Sequence, residues 1–147
     1  MKRTAYTLRR VAKIVNSPVM PLLVEAWDRL LVAGQTGGIP IAWDHSAVYF
    51  EYKGAPVAVM SYTYTDWNSQ VWIHLGYVQP AHRRRGLYRD LYLEVRKFAI
   101  EKGAVTLSGG VDCKNKIMQR VAESQGRHCQ YSVYEENLPP AVEKAAA

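Results

Sequence analysis

Cysteine is scarce: Cys113 and Cys129 are the only two in 147 residues, and their separation matches neither a metal-ligand pair nor a disulfide framework. Neither has a basic neighbour that would generate a thiolate, so both are expected to be inert. Long apolar runs are also missing. The longest, Val19 to Val24, is interrupted by Pro21 and falls far short of the roughly 20 residues that cross a bilayer. Met1 to Arg10 carries Lys2, Arg3, Arg9 and Arg10 with no apolar run behind them, which does not fit a secretory leader. No internal repeat is visible, and low complexity is confined to residues 136–147, with Pro139-Pro140 and a final triple alanine. Hydrophobic residues make up 48% and charged residues 22%, which excludes disordered and fibrous classes. The expectation is one domain over residues 1–135 with a fraying tail at 136–147, in a reducing cytoplasm, without metal or membrane.

What the chain does have is basic charge. Nineteen Lys and Arg against thirteen Asp and Glu leave a net charge of +6. Such an excess favours anionic partners: nucleic acid, an acidic protein or a phosphorylated small molecule.

The pattern alternates extended and helical segments. Tyr6 to Val15 mixes β-branched, aromatic and basic residues and predicts a first strand. Asn16-Ser17-Pro18 reads as a helix start, with Ser17 as cap and Pro18 in the first turn. Leu23, Trp27, Leu30 and Leu31 follow at helical spacing, and Gly34 ends the run. Ala47–Tyr52, Pro56–Thr65 and Gln70–Val78 read as an antiparallel meander, turned at Lys53-Gly54 and Asp66 to Ser69. After Pro80 the period changes. Leu87, Leu91, Val95 and Phe98 form one apolar helical stripe, stopped by Gly103. A short strand at Ala104–Leu107, a helix at Asn115–Ser124 closed by Gly126, and a last strand at His128–Tyr134 complete an α/β order.

The start of the long helix is unusual. Its first amides lack intrahelical acceptors, yet no Ser, Thr, Asp or Asn is placed to cap it. Arg83, Arg84 and Arg85 stand there instead, followed by Gly86. Adjacent positive charges at the positive end of a helix dipole repel unless an anion sits among them. Backbone donors, dipole and guanidinium groups together make a phosphate site.

Arg83-x-x-Gly86-x, preceded by Val78-x-Pro80 and followed by Leu91, resembles the acyl-coenzyme A motif of the GNAT N-acetyltransferases, Gln/Arg-x-x-Gly-x-Gly/Ala. The order of elements from Tyr6 to Tyr134 is similar to that family's layout. Asn115, with Gly126 eleven residues later, is similar to its second motif. The resemblance implies a GNAT-like acyltransferase fold, with a mixed, mostly antiparallel central sheet flanked by helices. It implies an acetyl-coenzyme A dependent N-acetyltransferase acting on a primary amine by direct attack on the thioester. Backbone amides of Arg83, Arg84, Arg85, Gly86, Leu87, Tyr88 and Arg89 would hold the pyrophosphate. Gly76, Tyr77 and Val78, on a splayed strand, would pair with the pantetheine arm, Gly76 suiting a bulge or a close backbone approach. Asn115 would contact the same arm from the second helix. Three positions depart from the pattern. Tyr88 replaces Gly or Ala, and fits only if its ring points away from the phosphates. Ala122 stands where the family often has a Tyr that protonates the leaving thiolate, and Arg127 replaces an aromatic.

Acetyl transfer to an amine needs a base, an oxyanion donor and a proton for the thiolate. His74 is the candidate base, since imidazole titrates near neutrality. By alternation it faces away from Ile73 and Leu75. Asp66, Asp44 and His45 are weaker candidates, placed in turns. Tyr131 and Tyr134 are candidate acids, with bulk water as the alternative. Tyr62, Tyr64, Trp67 and Trp72 are either acceptor-pocket residues or cross-strand packing partners. A different class remains open: a GNAT-fold protein of weak or no activity that binds nucleic acid or acts as an adaptor, using Lys2, Arg3, Arg9, Arg10 and Lys13. Homodimerisation is compatible with exposed sheet edges but no residue argues for it.

Overall fold

The computed structural model describes residues 5–35, 42, 44–130, 136, 138 and 139. The chain divides into two compact units, Met1–Asn115 and Lys116–Ala147.

The first unit is built on a five-stranded sheet whose spatial order follows the sequence. Its strands are β1 (Tyr6–Val11), β2 (Ser46–Tyr52), β3 (Ala55–Thr65), β4 (Gln70–Val78) and β5 (Thr106–Gly109). The first four pair antiparallel, and β5 joins β4 in parallel. The β2–β3 hairpin turns on Lys53 and Gly54, with φ of 50° and 80°. Two positive φ values in a two-residue loop match the right-handed twist of the flanking strands.

Helix α1 (Met20–Ala33) covers one face, with Leu22, Leu23 and Ala26 buried against Ala47, Tyr49, Val59, Leu75 and Tyr77. It does not begin where the sequence suggested. Ser17 makes no cap; Val19 precedes the helix without a side-chain bond, and Pro21 occupies the first turn. Pro18 is therefore in the preceding turn, and β1 ends at Val11 rather than Val15. The other terminus follows the reading. Gly34 at φ 66° closes α1 with amide bonds from Gly34 and Gln35 to Leu31 O and Leu30 O.

Helix α2 (Leu87–Lys102) covers the opposite face. Leu87, Leu91, Tyr92, Val95 and Ala99 pack on Val48, Ala58, Met60, Tyr62, Val71 and Ile73. Phe98 sits half-buried at the margin, its ring 5.0 Å from that of Tyr62. β5 begins two residues later than Ala104, because Gly103 and Ala104 finish the helix through bonds to Ile100 O and Ala99 O.

The second unit contains α3 (Lys116–Ser124), none of whose residues is buried. Gly126 at φ 77° and Arg127 cap it through Glu123 O and Ala122 O. Residues 128–130 are not in a strand, and 131–134 of the anticipated last strand lie outside the described residues.

Candidate functional site

The pleat of β4 changes hand in mid-strand. Opposite Ser61 and Tyr62 of β3 stand Leu75 and Ile73, so His74 is the extra residue of a bulge. Before it, Val71 and Ile73 enter the core under α2; after it, Leu75 and Tyr77 enter the core under α1. The bulge is thus at His74 and not at Gly76. Leu75 shares the side of His74, which corrects the simple alternation.

On its other edge β4 pairs with β5 only from Gln70 to Ile73. Residues 74–78 have no strand partner on that side among the described residues. They present a row of main-chain donors and acceptors to which an extended amide chain can add.

This edge leads into the loop before α2. Pro80–His82 forms a 3-10 turn, and His82 is anchored there by the Tyr6 hydroxyl at 2.9 Å from its Nδ1. Arg84 then adopts φ 61° and Gly86 φ 77°. A left-handed arginine costs roughly 1–2 kcal/mol, a strain of the kind held at ligand-binding loops. Left-handed residues spaced this way aim successive amides into a common concavity. Gly86 precedes the helix with no side-chain cap. The first ladder bond runs from Asp90 N–H to Gly86 O at 3.1 Å, so Leu87 and Arg89 point their amides out of the helix start.

The arginines divide their tasks. Arg83 turns back: its Nε donates to Val78 O at 2.9 Å, and its guanidinium lies 5.8 Å from the centre of the Tyr77 ring. It fastens the loop to the end of β4. Arg85 has a buried Nε without a hydrogen-bond partner. Burying such a donor unmet is costly, and an anion in the loop would satisfy it. No ion pair among the described residues involves residues 83–89; Arg9 and Arg10, by contrast, are paired with Glu51 and Glu94. Lys2 and Arg3 lie outside the described residues.

Tyr88 sends its ring back toward β4. A Cβ on Gly76 would lie 2.6 Å from Tyr88 Cε2 and 3.0 Å from its hydroxyl. The close approach expected at Gly76 is therefore made by Tyr88, and it explains both the glycine and the departure from the motif.

His74 Nε2 is 2.8 Å from Thr63 Oγ1, and its ring stacks on His45 at 3.7 Å between centroids, 14° from parallel. Burial, then the neighbouring His45, push its pKa down to about 4, against a small opposing pull from Asp44. His45 is lowered too, by burial. Both imidazoles are neutral at pH 7. With Nε2–H donating to Thr63, the Nδ1 lone pair is the basic site, and this atom has no partner. The sequence ranked His45 as a turn residue; the structure makes it the neighbour that defines His74.

A second network was not anticipated. Glu25 of α1 accepts from the Tyr77 hydroxyl at 2.8 Å and from Gln79 Nε2 at 3.1 Å. These bonds, Gln79 first, lower its pKa, while burial and the same carboxylate raise that of Tyr77. No local sequence pattern signals contacts separated by more than fifty positions.

Asn115 is in the turn just before α3, not within it, its amide bonded to Asp112 O at 2.9 Å. Tyr62 and Tyr64 belong to the packing under α2, and Trp67 is 86% exposed. Asp66 lies in the 3-10 turn Asp66–Asn68 between β3 and β4, away from the bulge in sequence. Tyr131 and Tyr134 lie outside the described residues. No group of three or more His, Cys, Asp or Glu suited to a metal occurs among the described residues, and no helix of these is long and apolar enough to cross a membrane.

A family model described as the acetyltransferase (GNAT) family matches residues 20–126. Solved structures share the fold. Aminoglycoside N-acetyltransferase AAC(6')-Iy, in complex with the bisubstrate analog CoA-S-monomethyl-acetylneamine, superposes with a TM-score of 0.68 at 20% identity, covering 92% of this chain and 99% of its own. A ribosomal-protein-alanine N-acetyltransferase from Brucella melitensis biovar Abortus 2308 gives 0.66 at 14% identity, covering 91% and 100%. A possible acetyltransferase from Clostridium difficile 630 gives 0.64 at 18% identity, covering 92% and 99%. No sequence match was found among curated proteins.

Proposed function

Since the chain belongs to the GNAT acetyltransferase family, we propose that it is an N-acetyltransferase taking acetyl-coenzyme A as donor and a primary amine as acceptor. One observation carries this reading: the unpartnered edge of β4, residues 74–78, runs directly into the uncapped, arginine-bearing start of α2. An edge that pairs with amides, ending in a cradle for anions, suits a pantetheine arm that ends in pyrophosphate. The buried, unmet Arg85 Nε fits a phosphate oxygen. The family's coenzyme-bound members support the same donor.

Bound there, the coenzyme supplies an activated acyl group. The protein's share is orientation and charge. Gly76, Tyr77 and Val78 hold the arm by main-chain bonds, and Arg83 braces that strand end through Val78 O. The amides of residues 83–89 and the Arg84, Arg85 and Arg89 side chains bind the phosphates, with Asn115 contacting the arm. Fixing the donor in this way converts a bimolecular encounter into an oriented one. Main-chain N–H groups at the bulge are donors for the charge that grows on the acyl oxygen.

His74 takes the proton from the attacking amine. Its neutrality at pH 7 leaves it able to accept, and its weak basicity makes it a relay that hands the proton on rather than a store. The thiolate is protonated by solvent, since Ala122 has no proton to give.

Thermal denaturation with added coenzyme tests the reading. Acetyl-coenzyme A at about 100 times Kd adds roughly 2.7 kcal/mol, a rise of roughly 5–10 °C for a chain of this size. A melting temperature unmoved at millimolar coenzyme ends it. Mass-spectrometric capture of the acetylated product from labelled donor then identifies the acceptor.

A further inference from the structure

We propose that Tyr88 fixes the size of the acyl group this site accepts, restricting it to acetyl. The inference rests on reading the β4 edge as the coenzyme slot and adds a specificity determinant to it.

Three sides of that slot are closed near the bulge. β4 itself is the first. β5 is the second, because its pairing with β4 resumes at Ile73–Gly109, next to His74. The Tyr88 ring is the third. It lies so close against Gly76 that an added Cβ would meet Cε2 at 2.6 Å. Its position is on the α2 side, packed on the cluster that holds Val78, Leu87 and Leu91. The ring is therefore supported from beneath. The remaining side is that of His74, Thr63 and His45, from which an amine must come.

A two-carbon acyl group leaves that fourth side open. Each further methylene must displace the Tyr88 ring or occupy the amine's path. Close-packed walls register a single methylene, and in a hydrophobic pocket one such group changes discrimination by roughly 10- to 200-fold. Gly or Ala at position 88, as in the motif this loop resembles, would leave the third side without a ring.

Calorimetric titration of the full chain with free coenzyme A, acetyl-coenzyme A and butyryl-coenzyme A tests this without knowledge of the acceptor. The wild type and Tyr88→Phe are expected to bind the acetyl thioester at least about 10-fold tighter than the butyryl thioester. Tyr88→Ala is expected to bind the two within about 3-fold, with free coenzyme A affinity little changed. Should Tyr88→Ala fail to fold, Tyr88→Leu keeps apolar support while withdrawing the ring, and carries the same expectation. A preference that persists in the shortened variant, or its absence from the wild type while coenzyme A binds, overturns the inference alone. A wild type that binds no coenzyme species overturns the functional reading and this inference together.

Discussion

Replacing Gly76 by alanine should destabilise the protein, and removing the Tyr88 ring should reverse the sign of that effect. Gly76 does not adopt a left-handed backbone, so alanine is conformationally allowed. Within a strand it would ordinarily gain about 0.5–1 kcal/mol over glycine through reduced chain entropy. Here the new methyl meets the Tyr88 ring at 2.6 Å, closer than carbon atoms approach, and overpacking of this kind costs about 1–3 kcal/mol. The net expectation for Gly76→Ala is a loss of about 0.5–2 kcal/mol. At roughly 2–4 °C per kcal/mol, the melting point should fall by a few degrees. In a Tyr88→Ala background the same substitution should stabilise, giving a coupling of about 1–3 kcal/mol in a double-mutant cycle. Urea denaturation of the four proteins without coenzyme measures it. If Gly76→Ala is as stable as the wild type with Tyr88 present, the ring does not lie over β4 and the argument for acyl selection fails with it.

Arg85→Glu and Gly86→Asp should each weaken coenzyme binding by about 10- to 100-fold, read by calorimetry. The first replaces a buried donor with an acceptor, and the second places a side chain at φ 77° and a negative charge in the cradle. His74→Ala should lower turnover while leaving coenzyme affinity intact; full activity across the pH range would remove His74 from the mechanism. The folded pKa of His74 lies below the unfolded value of 6.5, at about 4, so the unfolded chain binds the extra proton. Stability should therefore be complete above pH 6.5 and fall as pH drops toward 4. His74→Asn should flatten that slope, as followed by urea midpoints at pH 7, 5.5 and 4.5. His45, shifted the same way, supplies what slope remains.

Local signals carried much of this fold. Lys53-Gly54 placed the hairpin, the stripe through Leu87, Leu91 and Val95 placed α2, and uncapped arginines marked the loop. Each depends on neighbours a few positions apart. The start of α1 misled because Ser17-Pro18 and Pro21 offer two chemically equivalent openings, and tertiary packing of Val19 chose the second. The stack of His45 on His74, the Tyr88 contact with Gly76 and the Glu25 network depend on segments brought together only by folding. The bulge hid for another reason. Val71, Ile73, Leu75 and Tyr77 alternate without a break, and with both faces of the sheet covered, nothing in the string marks the point where they change sides.

That change of sides makes the length of one strand untouchable. Loops here can gain or lose residues at modest cost, since closure entropy grows slowly. Excising His74 would instead slide everything downstream by one notch, presenting Leu75 and Tyr77 to the wrong half of the interior. Substitution there is a question of chemistry; deletion would turn half of β4 inside out.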